Sequence, residues 1–254
     1  MLTEIVMNQY RTSQIAKMMD IHTNTVRLYE EIGLVSPTQR LINGYRIFND
    51  RHVLQYTLAR LALSMDKRHK TIRKTAILIS KSVASGNNTE TAVLMNILIT
   101  GIENEMSNAR SIKDKCNLVI TGKEQKEKSI YLTRKKAAQY INSSPDAIRN
   151  WENKGLIQVV RKLNGYRVYI DDDIEKMRII KLLKGLGYSL DAVKERLDIL
   201  TAELDDESIY LYGQSKEYKK LMKDCDIYLI DMEKAKEISI KMENVIESLK
   251  LFDI

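Results

Sequence analysis

The chain repeats itself. Residues 15–35, IAKMMDIHTNTVRLYEEIGLV, lie over residues 137–157, AAQYINSSPDAIRNWENKGLI, at a constant offset of 122. Ala16 meets Ala138, Val26 meets Ile148, Arg27 meets Arg149, Tyr29 meets Trp151, Glu30 meets Glu152, and Gly33-Leu34 meets Gly155-Leu156. Further on, NGYRIF at 43–48 matches NGYRVY at 164–169 with the offset reduced to 121, so one residue is lost in between, where a surface loop tolerates a deletion. Apolar, charged and glycine positions all recur in step, which marks an internal duplication. The fold must therefore be built from two copies of one small unit.

Each copy reads as helix, turn, helix, hairpin, helix. Ile15, Ala16, Met18 and Met19 give the first helix an apolar face, and the turn-formers at 20–22 and 142–144 break it. A second helix follows, with Thr23 and Ser144 expected as N-caps. Val26/Ile148 and Tyr29/Trp151 face inward, and Arg27/Arg149 face outward. Gly33 and Gly155 are expected to end it in the left-handed conformation. The Asn-Gly pairs are expected to supply positive φ angles for a tight hairpin, and Asp50 and Asp171 to cap the next helix. Two short helices and a hairpin wing make a winged helix-turn-helix.

Outside the repeats, residues 89–116 carry Val93, Leu94, Ile97, Leu98, Ile102 and Met106 at helical spacing. Residues 217–252 carry Leu221, Cys225, Tyr228, Met232, Ala235, Met242, Ile246 and Leu249, mostly in alternating steps of four and three, a seam that wants a partner helix. The expected fold class is mainly α: two winged helix-turn-helix domains, each followed by a long helix, the helices pairing as an antiparallel coiled coil. The division is 1–84 first winged domain, 85–130 pairing helix and linker (the linker from about 117), 131–200 second winged domain, and 201–254 C-terminal coiled-coil helix.

Charge points to the partner. Residues 1–85 carry 13 Lys+Arg against 6 Asp+Glu and residues 129–200 carry 14 against 9, whereas residues 201–254 carry 8 against 13. The basic surplus follows the two repeats, as a polyanion partner requires. No stretch approaches the roughly 20 apolar residues of a membrane span, and the N-terminus lacks the pattern of a signal peptide, so a cytoplasmic location without membrane contact is expected. Cys116 and Cys225 cannot form a disulfide framework, and 3 His without a local cluster argue against structural zinc. No phosphate loop, nucleophile with a matching base, or meaningful carboxylate pair is present. Neither an enzyme nor a bound cofactor or metal is expected.

The residues resemble the mercury-resistance regulator (MerR) family. The second copy matches its DNA-binding domain through IRNWENKGLI and NGYRVYIDDDIEKMRIIKLLKGLGYSLDAVKERL. The first matches through TVRLYEEIGLV and NGYRIFNDRHV, then departs in LARLALSMDKRHKTIRKTAIL, which lacks the Gly-aromatic-Ser-Leu turn. The resemblance covers residues 10–56 and 131–200 and implies a transcription regulator that binds and distorts double-stranded promoter DNA, with RNA polymerase as a further partner at the promoter. By resemblance the DNA-contacting set is Thr12, Thr23, Asn24, Arg27, Arg40, Tyr45 and Arg46 in the first copy, and Arg134, Asp146, Arg149, Arg161, Lys162, Tyr166 and Arg167 in the second. Arg27 and Arg149 match the recognition-helix arginine; Tyr45-Arg46 and Tyr166-Arg167 match the wing.

Departures from the family pattern bear on its contacts. The tyrosine that usually reaches a phosphate from the recognition helix is Leu28 in one copy and Asn150 in the other, and the leading edges differ, 23–25 reading TNT against PDA at 145–147. The two modules are not expected to read the same bases. In the family the long helix pairs antiparallel within a dimer, so the order module, helix, linker, module, helix implies an intrachain pseudo-dimer. A homodimer through the acidic C-terminal helix is the alternative. If the helices pair so, Cys116 and Cys225 approach each other, as a thiol pair or as two buried apolar residues. A second function class stays open, an architectural or plasmid- or chromosome-partition DNA-binding protein without effector sensing. A third is a protein-interaction scaffold with degenerate helix-turn-helix modules.

Overall fold

The computed structural model describes residues 8–121, 131–159, 167–201 and 213–252, with side chains outside 115–121 and 198–201. These residues are mainly helical and divide into two compact units, Met1–Glu103 with Met232–Ile254, and Asn104–Asp231. Each unit takes one repeat and one stretch of each of two long helices.

In the first unit, α1 (Thr12–Met19) and α2 (Thr23–Glu31) precede a two-stranded hairpin of β1 (Gln39–Arg40) and β2 (Arg46–Ile47), followed by α3 (Asp50–Ser64) and α4 (Lys70–Ala84). Ile15, Ala16, Val26, Tyr29, Leu34, Val35, Phe48, Tyr56 and Ala59 form one core cluster. Tyr56 organises it. Its ring stacks on Tyr29 at 6.0 Å and meets Phe48 edge-on at 5.9 Å, while its hydroxyl donates to the Val26 carbonyl at 2.8 Å. A buried phenol needs such an acceptor, and burial pushes its pKa up. Met18 departs from expectation at 50% exposure: the short helix buries only the arc of Ile15 and Ala16, and Met18 falls off its edge.

Several boundaries differ from expectation by one residue. α2 is capped by His22 and α3 by Asn49, whose side chain accepts from His52 N at 3.2 Å, leaving Thr23 and Asp50 as first helical residues. In the second unit the helix after the wing likewise starts at Asp171, and Asp173 rather than Asp171 accepts from the Ile170 amide, at 3.1 Å. Acidic side chains still gather in its first turn, where the helix dipole favours them. At the hairpin only Gly44 takes a positive φ, +81°, not Asn43. Gly44 N donates to Leu41 O and Leu41 N to Tyr45 O, both at 2.8 Å, which makes a three-residue loop closed by a left-handed glycine. The matching Asn164-Gly165 pair lies outside the described residues.

The second unit repeats the plan with α6 (Arg134–Tyr140), α7 (Pro145–Asn153), α8 (Asp171–Gly185) and α9 (Leu190–Thr201). Ala137, Ala138, Ile148, Trp151, Leu156, Tyr169, Met177 and Ile180 are buried in it. Tyr10 and Phe48 form an antiparallel bridge in one unit, Leu132 and Tyr169 in the other. Tyr188, from the Gly-Tyr-Ser-Leu turn absent from the first copy, has the Arg196 guanidinium 4.3 Å and the Lys220 ammonium 4.7 Å from its ring centre, with its hydroxyl donating to Asp224.

The long helices are α5 (Asn88–Thr121) and α10 (Lys216–Lys250). Asn87 starts α5, accepting from Glu90 N at 3.1 Å and donating back to the Glu90 carboxylate at 3.0 Å. The helix runs past residue 116 into the segment expected as linker. Its buried seam is Thr91, Met95, Leu98, Ile102, Met106, Ala109 and Ile112, whereas Val93 and Ile97 are 55% and 53% exposed. The helix carries more apolar residues than one face can hold, so composition alone misplaced the seam.

On α10 the expected seam is buried, with Ile246 half-buried, and Ser239, 2% exposed, occupies the step left blank in the sequence. Within the second unit, rising numbers on α5 meet falling numbers on α10: Tyr228 OH donates to Glu105 at 2.8 Å and Lys113 pairs with Asp226. Glu105 also holds Lys181 of α8, whose ammonium donates to the Ile141 carbonyl at 3.0 Å. α8 comes close here, and a Cβ on Gly185 would lie 3.1 Å from the Tyr228 ring. Cys225 is buried with its thiol unbonded to another cysteine; Cys116 lies outside the described side chains.

Gly33 and Gly155 take φ of +72° and +70° with open space around a would-be Cβ, so the cost of a side chain there is purely conformational. Gly33→Ala and Gly155→Ala are each expected to lower stability by about 1 kcal/mol. Met232→Ala, in the buried α10 seam, should cost about 3 kcal/mol. Thermal or urea unfolding of the three variants checks this ranking.

Candidate nucleic-acid interface

The turn between the first two helices of each repeat is fixed by one left-handed residue. Asp20 and Asn142 both sit at φ +51°, a conformation that Asn and Asp tolerate better than other side chains. Ile21 N donates to Ala16 O at 3.0 Å, and in the other half Ser143 N donates to Ala138 O at 2.8 Å. The next helix starts two residues on. His22 Nδ1 accepts from Asn24 N at 3.2 Å, whereas Ser144 Oγ accepts from Ala147 N at 3.0 Å with Pro145 at the first helical position.

Both second helices bury the same side and expose the same side. Val26 and Tyr29, like Ile148 and Trp151, are buried. Asn24, Arg27, Leu28 and Glu31 are exposed on α2, and Asp146, Arg149, Asn150 and Asn153 are exposed on α7. Spacings of three and four put each set on one stripe along the helix. Thr23 is half-buried at the start of α2, as is Thr12 at the start of α1.

The wing is held to this helix by a carboxylate. Glu30 is paired with Arg46, their side chains 13% and 17% exposed, and also accepts from Thr38 N at 2.9 Å and Thr38 Oγ1 at 2.8 Å. Burial pushes the Glu30 pKa up, but the hydrogen bonds from Thr38 and Arg46 and the Arg46 charge outweigh it, and the net shift is downward. In the second half Glu152 has different donors. Arg134 Nη2 lies at 2.8 Å, Arg167 Nε at 3.4 Å, and Tyr169 OH donates to it as well, itself accepting from Arg134 Nε at 3.0 Å. Burial, with the hydrogen bond to Glu152, pushes the Tyr169 phenol up to about 12.

These pairings revise the picture of the candidate residues. Arg46 and Arg134, expected at DNA, are engaged inside the fold, and Arg167 shares the same glutamate. Asn24, Arg27, Asp146 and Arg149 stay exposed on their stripes, and Arg40 is exposed on β1 with Nη1 donating to Gly44 O at 3.4 Å. Tyr45 is 62% exposed beneath the Arg11 guanidinium, 5.9 Å from its ring centre. Arg161, Lys162 and Tyr166 lie outside the described residues. Sequence reasoning missed Arg11, which has no repeat counterpart because Thr133 stands there, and it missed the glutamate clamp. The clamp did leave a signal, since Glu30/Glu152 and Arg46/Arg167 recur in step.

Comparison with known proteins gives the same frame. The family model described as MerR family regulatory protein matches residues 11–48, and that described as MerR HTH family regulatory protein matches residues 132–199. Each of the two repeats is thus similar to a MerR-type model. Among similar proteins, the HTH-type transcriptional regulator CueR of Escherichia coli O6:H1 is 42% identical over 50 residues, 20% of this chain and 37% of that protein. A probable heavy metal-dependent transcriptional regulator of Haemophilus influenzae is 37% identical over 62 residues, 24% and 48% of the two chains. The chain thus spans less than half the length of either relative. A crystal structure of HiNmlR, a MerR family regulator lacking the sensor domain, bound to promoter DNA, is 28% identical, covers 39% of this chain and 74% of that one, and has a TM-score of 0.30. Among the described residues no helix is long and apolar enough to cross a membrane, and no group of three or more His, Cys, Asp or Glu is placed to hold a metal ion.

The downward shift on Glu30 fixes a sign. Its contribution to stability is present above its ordinary value of 4.5 and is lost as pH falls through the lower folded value. Glu30→Gln is expected to cost about 2 kcal/mol at neutral pH, the scale of hydrogen bonds to a charged group. The variant should also lose less stability than the parent on acidification below about pH 4.5, where the carboxylate of the unfolded chain takes up a proton before the native one does. Urea unfolding at pH 7 and at pH 3.5 measures both effects.

Proposed function

We propose that the chain binds double-stranded DNA through both winged helix-turn-helix halves and regulates transcription from the promoter it occupies. The observation that carries this is the repeated outward stripe: the same arginine, Arg27 and Arg149, stands exposed at the same place on the second helix of each half, on a scaffold matched twice to MerR-type models. Such a helix fits the major groove, where an arginine takes guanine O6 and N7 together. The basic surplus of both repeats supplies the long-range attraction. Arg27, Arg149, Arg40, Arg11 and Tyr45 are the contacts proposed from the described residues. Arg46 and Arg167 act first as clamps that set the wing against the helix.

We further propose that one chain holds the pseudo-dimer, with winged domains at 1–84 and 131–200 and pairing helices in 85–130 and 201–254. The make-up of each unit supports this, since each contains one repeat together with part of both α5 and α10. The antiparallel contacts of Glu105 with Tyr228 and of Lys113 with Asp226 support it as well. Intrachain pairing also benefits from the high effective concentration of tethered helices.

Three measurements test the proposal. Electrophoretic shift with a selected duplex should show Arg27→Ala and Arg149→Ala each weakening binding by about 1–3 kcal/mol; an unchanged affinity for Arg149→Ala would remove the second half as a reader. Log affinity should fall steeply with log salt, and a flat response argues against DNA as partner. Solution mass at micromolar concentration should be that of one 29.4 kDa chain, with an intrachain crosslink between cysteines placed at Lys113 and Asp226. A two-chain mass with crosslinks only between molecules would replace the pseudo-dimer by a homodimer.

A further inference from the structure

The two outward stripes share a scaffold but not a surface. Aligned at the repeat offset of 122, Asn24 falls on Asp146, Arg27 on Arg149, Leu28 on Asn150 and Glu31 on Asn153. Both Asn24 and Asp146 are the second residue of their helix, both are exposed, and both lie one turn before the shared arginine. The frame behind them is the same to the level of the left-handed residue, the buried i, i+3 pair and the closing glycine. A difference in chemistry at this one place is therefore presented at the same position on each module.

We propose that this pair makes the two half-sites chemically different: Asn24 selects adenine and Asp146 selects cytosine at corresponding positions of one non-palindromic site. The inference rests on the DNA-binding reading above. A carboxamide has a donor and an acceptor side by side, the complement of adenine N7 and N6 in the major groove. A carboxylate only accepts. It takes the N4 amino group of cytosine and is repelled by guanine N7 and O6 and by thymine O4. Adenine also offers an amino group, but its N7 lone pair sits beside that group and opposes the second carboxylate oxygen. Cytosine has only a C–H edge there.

The position tolerates a negative charge near phosphates because Asp146 lies in the first turn of α7, where unpaired backbone N–H groups and the helix dipole favour it. Arg149 one turn later supplies the neighbouring cation. The first half has no acidic residue in that turn. The two modules therefore differ in charge at the place nearest the base edges, although their overall basic surplus is similar.

The test is selection of bound sequences from a random duplex pool, using the full chain and its Asp146→Asn and Asn24→Asp variants at fixed salt. The expected parental motif has adenine in one half and cytosine at the corresponding position of the other. Asp146→Asn should convert only the cytosine to adenine and make the motif symmetric there, whereas Asn24→Asp should make the reciprocal change. Matched duplexes differing at that base pair should change their affinity ratio by about tenfold or more. A parental motif already symmetric at that position, or one that neither exposed substitution changes, overturns the proposal while leaving DNA binding intact. No enriched motif with the parental chain, together with a salt-independent shift, would overturn the DNA-binding reading and this inference with it.

Discussion

A partly shielded carboxylate near the end of the second helix ties the parts of each half together. Glu30 and Glu152 have no reason to be shielded from water unless cations and donors converge on them, because a carboxylate loses several kcal/mol of hydration when buried alone. The donors that meet this need come from the wing and from the loop or helix beside it. In the first half, satisfying the charge therefore ties the helix that presents the outward stripe to β2, which carries Arg46, and to the loop of Thr38. A hydrophobic contact in its place would hold the two elements together without choosing one orientation.

The halves solve this problem with different residues. In the first, Thr38 supplies backbone and hydroxyl donors, and the positions corresponding to Arg134 and Tyr169 are Thr12 and Phe48, neither of which reaches the carboxylate with a cation or a phenol. In the second, Arg134 and Tyr169 bring both. Phe48 instead packs against Tyr56 and His52, so losing one hydroxyl from the clamp goes with gaining an aromatic core. The duplicated units have kept the charge that must be satisfied and changed how it is satisfied.

What was legible in the sequence was whatever depends on local pattern. The left-handed glycines, the buried pairs of the second helices, the exposed Arg27 and Arg149 and the α10 seam all follow from spacing and residue type. Other features were hidden because they depend on distant partners. Arg134 has a basic residue's appearance of a surface contact, yet its neighbour Glu152 is eighteen positions away in the chain and turns it inward. Val93 and Ile97 look like core because they are apolar, but only the neighbouring helices decide which arc of α5 is covered. The shift of N-caps from Thr23 to His22 and from Asp50 to Asn49 is smaller in kind, a choice between adjacent residues that can both cap.

Gly185 gives the second half a property the residue's own chemistry does not suggest. Its missing side chain sets how near α8 stands to the Tyr228 ring; the Tyr228 hydroxyl meets Glu105, and Glu105 meets Lys181, whose ammonium ends on the carbonyl beside the left-handed Asn142. These contacts form one unbroken series from α8 to the turn between α6 and α7. The position behaves as a shim. Thickening it by one methyl group would press first on the Tyr228 ring, which would have to give by a few tenths of an ångström while its hydroxyl stays tied to Glu105.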